Sequence, residues 1–165
     1  MRIIISIAIA CLYLVLHSVS AQAFDYKKVD AFPALRDFAT VSDFEKFYGE
    51  YTQTCLDNSY GGTRGIPCFI GSELWDRELN DYYHALYNTL DKQGQEALKQ
   101  SQRAWLKERD LSIDFNTLLL NQKYSTRSGT MFLLMRAGDA EELTQDIVKQ
   151  RALQLKKWLE FCSND

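Results

Sequence analysis

From Gly71 to Leu90 large apolar residues recur at every third or fourth position: Trp75, Leu79, Tyr82 with Tyr83, Leu86 and Leu90. That spacing follows the 3.6-residue turn and commits the stretch to an amphipathic helix that must bury one face. Two more stripes follow. One reads Leu98, Gln102, Trp105, Leu106, Arg109 and Ile113 and continues towards Leu120, and the other reads Leu143, Ile147, Arg151, Leu155, Trp158 and Phe161. Neither the alternation of half-buried strands nor an internal repeat occurs. Long apolar stripes joined by short connections predict an all-α antiparallel helical bundle of three to four main helices.

The connections and ends are legible in the same way. Ser42-x-x-Glu45 reads as a capping box that opens a helix through Phe44, Phe47, Tyr48 and Tyr51 to about Cys55. Phe24–Val41 has weak periodicity and Pro33, and reads as an arm with short helical pieces. Asp57–Cys68 holds three glycines and a proline and is a loop. The following helices are expected from about Ser72 to Asp91 and from about Gln95 past Asp110, with Gly94 at the turn between them. Asn121–Thr130 is a polar connection. The last helical region should begin near Met131, break at Ala137-Gly138 and restart with the acidic turn Asp139, Glu141 and Glu142.

The first residues belong to targeting rather than to the fold. Arg2 precedes an apolar run from Ile3 to Leu16, and Ala21-Gln22-Ala23 gives the small-x-small pattern of a signal peptidase site. The run is too short to span a bilayer. Cys11 gives only a weak lipoprotein-like pattern, so a protein without a stable membrane anchor, periplasmic or secreted, is expected. Cleavage after Ala23 leaves 142 residues, one ordinary domain. We divide the chain into residues 1–23 (signal peptide), 24–54 (arm and first helix) and 55–165 (main helical domain). Loss of one basic residue leaves a net charge of −4, which argues against nucleic acid and mildly favours a basic partner.

Cys55, Cys68 and Cys162 remain after cleavage. In an oxidising compartment pairing is the default, and Cys55 with Cys68 closes the short loop as a staple. Cys162 is then buried, free or intermolecular. Without a CxxC pair, and with His84 the one mature histidine, no metal or other cofactor is expected.

Polar residues interrupt the stripes. Gln102 and Arg109 fall near the centre of one apolar face, Arg151 within another, and Asp76 with Asn80 on the shoulder of the first. If the faces meet, these five form a buried structural seam in which Asp76 pairs with Arg109 or Arg151. A seam of this kind has no nucleophile, no Ser/His/Asp set and no second acid, so an enzyme is not expected. Trp105, Phe115 and Trp158 read as core.

The motif residues resemble a known family. Trp75–Leu86 followed by Leu98–Asp110 is similar to the D-x-E-L-N-x-x-Y and Q-x-x-W-L-x-x-R-D signature of the LprI-type lysozyme-inhibitor family, small exported bacterial helical domains. The matching positions include Asp76, Glu78, Leu79, Asn80 and Tyr83, then Gln102, Arg103, Trp105, Leu106, Arg109 and Asp110. Cys55 and Cys68 resemble the leading cysteine pair of many members, and Arg151 with Leu155 the late R-x-x-x-L. Members often carry a second cysteine pair, and Ile113 stands here where one of its cysteines would fall. The resemblance implies a non-enzymatic protein whose partner is lysozyme or another cell-wall hydrolase.

An inhibitor of that kind needs a protruding element with donors to meet the acidic groups of a lysozyme cleft. Tyr60 and Arg64, on the glycine-rich loop, are the candidate contact. The alternative is an envelope interaction module, an immunity or adaptor protein without effect on lysozyme. A carrier of a small ligand would need an internal cavity between Asp76, Gln102 and Arg151.

Overall fold

A computed structural model describes residues 25–163, so the expected leader, its cleavage site and Cys11 lie outside the described residues. Four α-helices follow two short 3-10 turns in the arm: α1 (Val41–Asn58), α2 (Gly71–Thr89), α3 (Lys92–Lys123) and α4 (Thr130–Ser163). A further 3-10 stretch, Gly62–Cys68, connects α1 to α2. The described residues contain no strand, and the all-α bundle is as the periodicity implies. Consecutive helices run antiparallel. Thus Ser72 of α2 lies by Ile113 of α3 and Tyr83 by Gln102, while Gln102 of α3 meets Arg151 of α4 and Lys123 meets Asp139.

Local chemistry sets where each helix begins. α1 starts two residues before the expected box, because Thr40 accepts from the Asp43 amide at 3.1 Å and donates to its carboxylate at 2.7 Å. Asp91 caps α3 by accepting from the Gly94 amide at 2.8 Å. α2 has no local side-chain cap. Instead Glu141 of α4 accepts from the Ser72 amide at 2.7 Å and from its hydroxyl at 2.6 Å. A carboxylate from another helix thus satisfies exposed donors at the positive end of α2.

α4 is continuous, and the break expected at Ala137-Gly138 does not occur. Gly138 has a packing reason instead: a Cβ there would lie 3.1 Å from the Phe69 ring. A Cβ on Gly71 would meet the amide end of Gln145, at 1.8 Å, a flexible group that can turn aside.

The core sits where α1, α2 and α4 meet. Trp75 and Phe44 are fully buried and meet edge to face, with centroids 5.3 Å apart. Trp75 Nε1 donates to the Tyr48 hydroxyl at 3.1 Å. Leu74, Leu79, Leu86, Val148, Ala152 and Leu155 complete this core, and Phe32 and Leu35 of the arm close one side. Trp105 and Trp158 are partly buried against it.

Phe115 is not core. It is 59% exposed, because it lies on the outer face of α3 with Ala104, Glu108 and Leu111, which are exposed as well. α3 and α4 also outrun α2: at 1.5 Å per residue they measure about 48 and 51 Å, against about 28 Å. Ser72, at the start of α2, is level with Ile113 and Thr144. Beyond that level α2 no longer runs beside α3.

The disulfide forms as expected between Cys55 and Cys68, both fully buried, while Cys162 is free and exposed. Replacing both paired cysteines by serine should lower stability by about 3 kcal/mol, the value for closing a loop of this length. Urea unfolding should show the same loss on reduction of the unaltered protein.

Candidate functional site

The five seam residues do not close into one buried network. Asp76 and Asn80 are exposed and bond to each other, Asn80 Nδ2 donating to Asp76 Oδ2 at 3.1 Å and to its carbonyl at 2.8 Å. Arg109 is partly exposed and pairs with its neighbour Asp110 at 2.7 Å. Its guanidinium also lies over the Trp105 ring, 5.4 Å from the centroid. The expected ion pair from Asp76 to Arg109 or Arg151 is therefore not formed among the described residues. An adjacent carboxylate reaches Arg109 first, at no cost in burial.

Arg151 alone of the five is deeply buried, at 5% exposure, and no carboxylate pairs with it among the described residues. Its Nε donates to Gln102 at 2.9 Å, Nη1 to Gln154 at 2.6 Å and Nη2 to the Ser101 hydroxyl at 3.1 Å. The Trp158 and Trp105 rings flank it at 5.2 and 5.8 Å. Amide dipoles and aromatic faces replace the counter-ion, and burial lowers its pKa from the usual arginine value.

What lies between α2 and α3 is an open groove of about 540 Å³. Asp76, Asn80, Tyr83 and His84 line one wall, and Lys99, Gln102, Arg103 and Arg109 the other. Leu79, Trp105 and Leu106 also line it. Its walls differ in charge, with a carboxylate on α2 and three cations on α3. The space shared by Asp76 and Gln102 is open to solvent, so it is not the enclosed cavity a small-ligand carrier requires.

The remaining motif positions divide. Leu79 is core, and Tyr83 stacks on Tyr87 at 6.2 Å. Glu78 is 2% exposed and pairs with Arg77, 2.8 Å from Nη2. Arg77 was not legible as a key residue. Its guanidinium donates to the carbonyls of Val29, Phe32 and Pro33 at 2.8–3.0 Å, clamping the arm onto α2. The adjacency of Arg77 and Glu78 was the only available signal, and neighbours in a helix do not ordinarily face each other.

The loop before α2 is a rigid projection. Tyr60 has φ +61° and is 70% exposed, and Gly61 and Gly62 follow with φ +74° and +58°. A non-glycine residue held in the left-handed region stores strain that only a well-braced loop sustains. Here the braces are the disulfide, the Tyr26 hydroxyl donating to the Arg64 carbonyl at 2.5 Å, and Gly65 packed against Leu56 and Leu134. The Arg64 side chain is exposed and enters no ion pair among the described residues.

Among the described residues no group of His, Cys, Asp or Glu is suited to hold a metal, and no helix is long and apolar enough to cross a membrane. The class is a small disulfide-stapled helical domain with polar residues presented along one interhelical groove. Residues 71–155, slightly over half of the chain, match the family described as lysozyme inhibitor LprI, and the chain belongs to that family. No curated protein and no solved structure matches it. The match opens at Gly71, so it takes in the groove and leaves the Cys55–Cys68 loop ahead of it. Family and disulfide together point to an exported protein.

Proposed function

We propose that the chain is a periplasmic or secreted, non-enzymatic inhibitor of lysozyme or a related cell-wall hydrolase, and that Tyr60 and Arg64 make the contact. Family membership supports the activity. The observation that carries the contact is the strained, exposed Tyr60 on a loop braced at both ends. A preorganised loop loses little entropy on docking, and an aromatic–arginine pair is the side-chain chemistry most enriched at binding hot spots. The arginine suits the acidic groups of a lysozyme cleft.

Titration of the processed protein against chicken-type, goose-type and invertebrate-type lysozymes tests the activity. Inhibition of one or more is expected, and Arg64→Ala should weaken it by at least about 30-fold. Unchanged inhibition by Arg64→Ala would end the loop assignment. Absence of inhibition across all three would favour the envelope interaction module instead.

The reach of the family match favours a second contact reading. It covers the α2–α3 groove and not the loop. In that reading Arg103→Ala, on the exposed wall of α3, weakens inhibition while Arg64→Ala does not.

A further inference from the structure

The ends of α3 and α4 that extend past the start of α2 form a helical hairpin, packed on one side against the stapled loop through Thr130 at Gly62, Leu134 at Gly65 and Gly138 at Phe69. Lys123, the last residue of α3, and Tyr124, which follows it, bond to Asp139 of α4, and Arg136 donates to Asn121 at 2.9 Å, so the two helices face each other there. Phe115, Leu118, Leu119, Met131, Leu133 and Met135 are each at least 42% exposed. None of the 22 acidic residues of the chain falls between positions 115 and 138, which hold Lys123, Arg127 and Arg136. The acids that flank this stretch are Asp139, which pairs with Lys123, Glu141, which caps α2, and Glu142 on α4, with Glu108, Asp110 and Asp114 on α3. In an acidic protein this stretch is apolar and basic.

We infer that the α3–α4 hairpin tip docks on an anionic phospholipid surface. Charge complementarity selects that occupant. A second copy would bring cations against cations, and a basic protein would be repelled for the same reason. The distribution of apolar groups agrees. Met131 and Leu133 lie about 200° apart around α4, so apolar side chains are exposed on both flanks of the side that packs on the loop. A tip exposed on both flanks can enter the headgroup and acyl boundary, where apolar burial and attraction to anionic lipid add. Arg127 is suitably placed at the turn, its guanidinium lying over Tyr124 and Phe132 at 5.8 and 5.5 Å. This is peripheral, reversible docking and needs no spanning helix.

The test is co-sedimentation of the processed chain with vesicles of phosphatidylethanolamine and phosphatidylglycerol, against phosphatidylcholine alone. Binding to the anionic vesicles, weakened by salt, is expected. Each basic residue near such a surface contributes roughly five-fold, so Arg127→Ala with Arg136→Ala should reduce partition about 25-fold. Phe115→Ser with Leu118→Ser should also release the protein from vesicles, with helicity by circular dichroism unchanged. No binding, or equal binding to both kinds of vesicle, overturns the inference. So does a dimer in sedimentation equilibrium that the Phe115→Ser and Leu118→Ser variant dissolves, since a second copy would then cover the tip.

Discussion

Arg77→Ala is expected to destabilise the protein by about 3–5 kcal/mol and to free the N-terminal arm from α2. The first effect follows from Glu78, which is 2% exposed and has Arg77 as its ion-pair partner. Breaking a buried pair by deleting one member leaves a charge without compensation, and that costs about 3–5 kcal/mol. The second follows from the carbonyls of Val29, Phe32 and Pro33, which lose their shared donor. Urea unfolding should report the energy, and limited proteolysis should cut the arm ahead of α1 far faster. Arg77→Lys separates the two effects. It keeps a cation for Glu78 but cannot reach several carbonyls with a planar fork, so it should retain much of the stability while the arm still becomes sensitive. A variant that loses neither stability nor protection would refute the clamp.

Trp75→Ala should be comparably damaging, at about 3–5 kcal/mol, for a different reason. The indole is fully buried, meets Phe44 edge to face and donates to the Tyr48 hydroxyl. Its removal opens a cavity where α1, α2 and α4 meet. It also takes away the donor to a phenol whose pKa burial pushes up to about 12. Trp75→Phe, which fills most of the space but donates nothing, should recover the larger part of the loss. Thermal unfolding of the three proteins side by side would check the order, and equal midpoints would contradict it.

The helices were legible because period 3.6 is a property of the chain itself, and the stripes through Trp75, Leu98 and Leu155 all bury residues as their phase implies. What the stripes did not supply was which face of each helix finds a neighbour. Phe115 lies on the outer face of α3 with Ala104, Glu108 and Leu111, a face left bare beside α2 as well as beyond it. The seam failed for a related reason. Phase places Asp76 and Arg109 on facing shoulders, but α2 and α3 leave a groove between them, and Asp110 is within reach of Arg109 without any tertiary contact. Gly138 misled because a helical glycine signals a break by propensity, whereas here it admits Phe69. The staple and the projecting character of Tyr60 were both readable from the cysteines and glycines of the loop. The brace from Tyr26 was not, since it comes from the weakly periodic arm.

The capping of α2 from a distance has a bearing on how the chain comes to be folded at all. Ser72 and Glu141 are 69 positions apart. A chain made from its N-terminus at about 5–20 residues per second leaves that interval open for roughly 3–14 s. Throughout it the second helix has unsatisfied amides at its head, and the large apolar groups meant for α4 have nowhere to go. The Cys55–Cys68 loop is stapled only once the chain reaches an oxidising compartment, and the bundle cannot be completed until its last helix is present. A nascent chain truncated before Glu141 should therefore remain a client for whatever holds unfolded segments, with its strongest helical stripe still in search of a partner.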